Sequence, residues 1–428
     1  MTLDTTTKIE LIHDPGRIDN IDSDQEQKLK DMWAQILMYT GDIPHSLEAT
    51  PSTLTSHSEE DDKKKKKKRH LFGIGKNKAE TPLKEEKKHT QEANAFKEVM
   101  KDLDPAQAAK LIFMMIKADH PDNLLLRFLR ARKWVVKDAL HMFGNTIYWR
   151  HENNVDDILR SGERVAIEKN DEEFMVQLRS NKSYIWGHDF RGRPIVHVKT
   201  YNHDPKAQGE KSMEDFTLYV IETARLCLKD PVDTAAVFFD LSNFSMANMD
   251  YGPVKFMIHC FANHFPECLG FLLIHNAPWV FTGIWNVIKG WIDPVVASKI
   301  KFTKTTEDVA KFIPMEYIEK NLGGSSDHTY VYIEPKEGEN DLMKDTATRD
   351  KILAAHDELT VKFINATVDW IKSDDKDTNQ KTQSVKNQIA AQLAENYWES
   401  DPYVRSRGIF DRNGTIDDFK KLHSDNWK

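Results

Sequence analysis

Residues 268–288 read CLGFLLIHNAPWVFTGIWNVI, twenty-one positions without Asp, Glu, Lys or Arg in a chain that is 30% charged. Glu267 and Lys289 close the run on either side. A protein in water must bury such a stretch in its core or line a hollow with it, because an exposed apolar patch of that size associates or aggregates. Its length approaches the roughly 20 residues of a membrane-spanning helix, but His275, Asn276 and Pro278 lie at its middle, where they would need partners inside a bilayer. Strand, corner and helix is the better parse: 271–274 as a buried strand, 276–278 as the corner, 279–292 as a helix. Val280, Phe281, Ile284, Trp285, Val287, Ile288, Trp291 and Ile292 cover most of that helix's circumference, and Lys289 is its only charge. A helix apolar nearly all round is either fully buried or uses a second apolar face.

Strands and helices alternate on both sides of this run. SYIWGHD and IVHVKTY, joined by a turn at 191–194, predict a hairpin, followed by a helix over 215–229, a buried strand over 234–241 and a helix over 253–263. Asp293-Pro294 is an aspartate cap with proline at the first helical position, which places Lys299 in the second turn of a helix. A short strand at 300–302 and helices ending at the Asn321-Leu322-Gly323-Gly324 turn complete the pattern. The order implies an α/β fold with a mixed, largely parallel sheet flanked by crossover helices. Residues 95–150 read as consecutive helices without strands, with Asp104-Pro105 starting one and Asp122 able to cap the next.

Four regions result: 1–94, 95–150 as a helical lobe, 151–330 as the α/β domain, and 331–428 as a helical extension. The first is mostly too polar and interrupted to fold. Within it, Leu29, Met32, Trp33, Ile36 and Leu37 fall at helical spacing over 25–39, a segment expected to dock on the main body. Residues 63–69 are all Lys or Arg, followed by His70, Leu71 and Phe72. This run reads either as a patch drawn to anionic membranes, at roughly 1 kcal/mol per basic residue, or as a solvated linker or nuclear-import signal. GIGK at 73–76 is no phosphate loop, since His70 stands where its first glycine belongs and Asn77 where Ser or Thr must hold magnesium. In the extension, Leu353, Leu359, Phe363, Ala366, Trp370 and Ile371 stripe a helix over 350–372. SDDKDTNQKTQ then reads as a polar linker, 385–398 as a shorter helix, and DRNGTIDD at 411–418 as a turn lacking the ligands of a calcium loop.

The net charge of -8 excludes a general nucleic-acid binder. Three irregularly spaced cysteines, Cys227, Cys260 and Cys268, provide neither a disulfide framework nor a metal site and fit a reducing compartment. The N-terminus lacks the features of a secretory signal or transit peptide, so a cytosolic protein is expected. There is no Gly-x-Ser-x-Gly and no His-Glu-x-x-His; His275 beside Asn276 is the one catalytic candidate and reads as a core histidine.

LLRFLRARKW (125–134), GRP (192–194), FPECLGFLLIHNAPWVF (265–281), DPVVASKI (293–300) and NLGG (321–324) together resemble the CRAL-TRIO lipid-binding family, in particular the fungal phosphatidylinositol transfer proteins. The resemblance spans about residues 95–330. It implies a sheet whose floor, with a mobile gate helix, encloses a cavity for a whole lipid. The gate corresponds to 279–292, with Phe281, Ile284, Trp285 and Ile288 toward the cavity, and this accounts for two apolar faces: one seals the pocket, the other touches bilayer. The family's inositol-phosphate contacts match Arg132, Lys133, Glu267 and Lys299, grouped with Pro194. Cations suit a phosphodiester, and a carboxylate accepts hydrogen bonds from ring hydroxyls. Read alone, Arg132 and Lys133 fit an exposed helix end better, and Glu267 with Lys299 an ordinary ion pair capping the sheet; the shared motifs reverse that preference.

Two departures narrow the expectation. Val296 replaces a phosphate-contacting threonine, and the positions matching the family's choline-phosphate contacts, Val196, Ala235, Val237 and Phe265, have no hydroxyl. A phosphocholine there would leave polar atoms unsatisfied at about 1–3 kcal/mol each. The expected function is therefore a non-enzymatic, monomeric carrier without cofactor or metal. It would move phosphatidylinositol between membranes or present it to lipid kinases, associated peripherally with endoplasmic reticulum, endosome or lipid droplet. Its second ligand would be a hydrophobe such as a sterol or squalene rather than phosphatidylcholine. The alternatives are a carrier dedicated to such a hydrophobe, or a membrane adaptor that senses lipid.

Overall fold

A computed structural model describes residues 8–42 and 96–426 of the chain. The basic run at 63–69 and the glycine segment at 73–76 lie outside the described residues. Helix α1 (Ser23–Thr40) starts at a capping box between Asp22 and Gln25 and stops at Gly41, whose φ of 84° ends the helix. It buries Leu29, Met32, Trp33, Ile36 and Leu37, the five residues its spacing singled out, against α2 (Pro105–Ile116), α3 (Pro121–Ala131) and α4 (Val136–Glu152). The cap of α3 differs from expectation. Pro121 occupies its first position, so the capping acceptor is the His120 ring, which takes the Asp122 N–H. The Asp122 carboxylate is thereby free to turn inward, where it accepts from Trp33 Nε1 at 2.8 Å and Lys386 Nζ at 2.5 Å.

Helices α5 (Val155–Glu168) and α6 (Glu172–Arg179) lead into a five-stranded sheet of order β1-β2-β3-β4-β5. The strands are β1 (Ser183–His188), β2 (Pro194–Lys199), β3 (Ala235–Asp240), β4 (Leu269–His275) and β5 (Ile300–Thr303). β1 and β2 form the antiparallel hairpin, and β2 through β5 run parallel, giving the mixed α/β sheet that the alternating pattern implies. Crossovers use α7 (Glu210–Leu226), α8 (Tyr251–Asn263), α9 (Phe281–Lys289) and α10 (Pro294–Ser298). Register aligns Val196, Val237, Leu272 and Ile300 across the parallel strands, with Val198, Phe239 and Ile274 in the next row of that face. On the other face Phe238 meets Val309 of α11 (Thr306–Ala310), Ile313 and Tyr317. Gly187 sits in the β1 irregularity at φ 69°, where an added Cβ would lie 2.6 Å from the Tyr317 ring. Gly187→Ala is therefore expected to lower the unfolding free energy in urea by about 1–3 kcal/mol through left-handed strain and overpacking.

The C-terminal region is more helical than its sequence reads. α12 (Thr346–Ile371) and α13 (Lys376–Val404) form a hairpin, and α13, capped by Asp375, begins inside the segment read as a linker. Phe363, Trp370, Ala390 and Leu393 pack into the cluster of α1, α3 and α4. The chain then returns to the sheet: α14 (Ile409–Arg412) and α15 (Thr415–Asn426) add Ile409, Phe410, Ile416, Phe419 and Leu422 to its core. The turn expected over 411–418 is confined to Asn413 and Gly414. Asp411 belongs to α14 and is held by Arg405 and Arg407 at 2.8 and 3.0 Å.

Candidate functional site

A cavity of about 230 Å³ lies beneath the Val237, Phe239, Leu272 and Ile274 face of the sheet, closed by α8 and α9. Its walls are almost wholly apolar: α8 contributes Val254, Met257, Ile258 and Phe261, and α9 contributes Phe281, Trp285 and Ile288. The charge-free run thus serves both uses open to it, its first half as a sheet strand and its second as a cavity wall. Helix α9 spans nine residues, shorter than 279–292, between Pro278 and Gly290. Aromatic edges pin it along its length, Phe281 on Phe244 at 6.1 Å and Trp285 on Phe302 at 5.1 Å. Just beyond its end Trp291 meets Tyr251 at 5.8 Å. Its outer side stays uncovered: Trp279 is 89% exposed, and Val287, Val295 and Phe302 are exposed around it.

Glu267 and Lys299 come together at the entry to β4 and β5, Oε2 to Nζ 3.4 Å, with side chains 22% and 23% exposed. Helix α10 has only five residues, so Lys299 is its C-cap and does not lie in a second turn. Val296 lines the cavity. Arg132 and Lys133 follow α3. The Arg132 guanidinium reaches the Ala131 carbonyl, Lys133 is exposed, and neither pairs with Glu267. Pro194 is buried at the start of β2, opposite His188. Of the eight expected lining residues, Val237, Phe281, Trp285 and Ile288 form cavity wall. The other four do not. Val196 packs in the sheet core, Ala235 opens β3 with its N–H on the Cys268 carbonyl, Phe265 lies edge-on to Trp149, and Ile284 is buried with Leu241 and Ile274.

Two features were not anticipated from the sequence. One is Arg130, which donates to Asp233 and to the Gly16 carbonyl, both at 2.9 Å. Burial pushes its guanidinium down to about 10 despite the opposing charges of Asp233 and Glu267. Through Gly16 and Arg17, the latter 2.9 Å from Asp233, the N-terminal segment straps down the end of α3, where Lys133 and Trp134 are left-handed at φ 50° and 63°. Such backbone is retained only where its surroundings enforce it. The second feature is a polar group at another part of the cavity wall, Lys182, His203 and Asp250. Arg130 is one of several basic residues in 127–133, and Lys182, His203 and Asp250 are scattered in sequence, so no spacing singled out either feature.

Comparison with known proteins places this geometry. The chain is 38% identical over 433 residues, 94% of its length and 98% of the relative's, to phosphatidylinositol transfer protein CSR1 of Eremothecium gossypii. It belongs to the CRAL-TRIO family. The CRAL/TRIO domain matches residues 178–324, which contain the sheet, the cavity and the Glu267–Lys299 pair, and the CRAL/TRIO N-terminal domain matches 93–145. CRAL-TRIO domain-containing protein C3H8.02 of Schizosaccharomyces pombe is 37% identical over 418 residues, covering 94% of this chain and 92% of its own. The crystal structure of Sfh5 aligns at a TM-score of 0.42 and 15% identity over 60% of this chain and 98% of that one. As a CRAL-TRIO protein related to a phosphatidylinositol transfer protein, the chain is a lipid-binding protein of a non-enzymatic family. No helix among the described residues is long and apolar enough to cross a membrane.

Proposed function

We propose that this protein draws phosphatidylinositol from one endomembrane into its cavity and delivers it to another, or presents it to a lipid kinase. The observation that carries the reading is the Glu267–Lys299 pair, flanked in sequence by the cavity-lining Leu269, Val296 and Ile300 of a largely apolar cavity: an ammonium for the phosphodiester and a carboxylate for inositol hydroxyls. Arg132, Lys133 and Pro194 complete the headgroup set by resemblance, and the name of the Eremothecium relative supports the cargo. Acyl chains leave one hydrocarbon phase for another, so extraction is near neutral in hydrophobic free energy and α9 governs its rate. The exposed apolar side of α9, with Trp279 foremost, is the surface suited to enter a bilayer.

Val237 and Val296 at the cavity wall favour a hydrophobe, a sterol or squalene, over phosphatidylcholine as second cargo. The test is transfer of labelled lipids from donor to acceptor vesicles by the full-length chain. Phosphatidylinositol is expected to move and phosphatidylcholine to stay at background. Equal transfer of the two would overturn the reading.

A further inference from the structure

Glu267 and Lys299 precede β4 and β5, whereas His203, Asn248 and Asp250 follow the far ends of the parallel strands β2 and β3. Lys182 leads into antiparallel β1 and so lies at that far end too, roughly 20 Å away for strands of this length. There the cavity wall becomes polar. Lys182 is 5% exposed, and its Nζ lies 3.2 Å from His203 Nδ1, 3.4 Å from Met213 Sδ and 3.5 Å from Gln208 Oε1. His203 Nε2 in turn lies 3.4 Å from Asp250 Oδ2. An ammonium only donates, so it fixes the imidazole proton on Nε2, toward Asp250.

Of the other buried lysines among the described residues, Lys117 has Glu222, Lys199 has Glu319 at 2.8 Å and Lys386 has Asp122 at 2.5 Å, while Lys30 is held by Asn379 at 2.6 Å and Ser373 at 3.2 Å with Glu26 4.0 Å away. Among the described residues, none forms an ion pair with Lys182. A buried charge without its counter-ion is strongly unfavourable, and these long or soft contacts offset little of that. We infer that Lys182 anchors the carboxylate of a single-chain fatty acid whose tail runs along Phe216, Phe239 and Leu241 into the cavity. Burial pushes the ammonium down to about 8, with Asp250 and Asp204 opposing, which leaves it mostly charged near neutral pH. A volume of about 230 Å³ is below the roughly 300–1,000 Å³ of common ligand pockets, so with α9 closed it suits a single chain, whereas a two-chain lipid enters only as α9 moves.

This inference rests on the cavity being the lipid site proposed above, but it concerns the pole opposite the inositol contacts. Equilibrium dialysis of the full-length protein with radiolabelled oleate tests it, with oleyl alcohol, methyl oleate and phosphatidic acid vesicles as competitors. Oleate is expected to bind, and the three competitors to displace it poorly. Lys182→Met should weaken oleate binding about ten- to hundredfold, the loss of one charge-assisted contact. Lys182→Arg, which keeps the cation, should bind within a few-fold of wild type. Full affinity in Lys182→Met, or equal competition by methyl oleate or phosphatidic acid, would sink the assignment. Failure of phosphatidylinositol transfer with oleate binding intact would instead count against the proposed function.

Discussion

The double variant Lys133→Ala, Lys299→Ala is expected to transfer phosphatidylinositol between vesicles at least about a hundredfold more slowly than wild type. Each lysine supplies one charge-assisted hydrogen bond to the lipid phosphate in the proposed complex, about 1.5–3 kcal/mol apiece. Losing both removes at least about 3 kcal/mol, or two decades in affinity. Stability should hardly change. Lys133 is exposed and the Glu267–Lys299 pair is partly so, and ion pairs of that kind contribute about 0–1 kcal/mol. The melting temperature is therefore expected within about 3 °C of wild type. A large fall in melting temperature would reassign both lysines to the fold, and unchanged transfer would remove them from headgroup binding. Each single variant should lie between, since the two ammonium groups act on one phosphate.

Asp122→Ala is expected to destabilise the protein by about 3–5 kcal/mol, a large share of the roughly 5–15 kcal/mol of a typical domain. The carboxylate holds Lys386, whose side chain is fully buried with Nζ 3.4 Å from the centre of the Trp370 ring, and it also accepts from Trp33. Its removal strands a buried ammonium without a counter-ion. Asp122→Ala combined with Lys386→Met should recover most of the loss, because an apolar pair of similar size needs no counter-charge. Urea unfolding distinguishes the three proteins. Acid adds a second readout. Burial alone would raise the Asp122 carboxyl, but Lys386, His120 and the hydrogen bonds from Lys386 and Trp33 outweigh it and hold it below the ordinary value of 3.8. A depressed carboxylate stabilises the fold above its unfolded pKa and loses that contribution as pH falls through the folded value. Wild type should weaken in that acid range, and the double variant should lack this component.

Strands β1 to β4 were legible in the sequence because their burial is nearly complete, leaving short apolar runs broken by glycine, proline and asparagine corners, and the α9 segment because apolar residues cover its exposed side as well as its buried one. Helix α13 was not. Its buried face includes Lys386, Asn396, Ser400 and Asp401 beside Ala390 and Leu393, so most of the stripe that marks a docked helix is polar. Its first turns, KDTNQK, are polar enough to read as linker. Asp122 misled in a related way: an aspartate after a proline fits a cap, and only its distant partners Trp33 and Lys386 reveal where the side chain goes. At the candidate site, Glu267 and Lys299 came into view through the resemblance to the family's inositol-phosphate contacts, since read alone they form an ordinary ion pair. Lys182 and Arg130 escaped because their meaning depends on which buried groups face them, and that is settled by packing between segments far apart in the chain.

Asp122 and Lys386 are 264 residues apart in the chain. At about 5–20 residues per second, a ribosome needs roughly 13–53 s to add that much polypeptide. Throughout that interval the first helices have an acid awaiting its base and a greasy seam without the hairpin that covers it. The native state therefore waits for α13 to be made, and a premature stop within α13 would yield a sticky fragment rather than a shorter working protein.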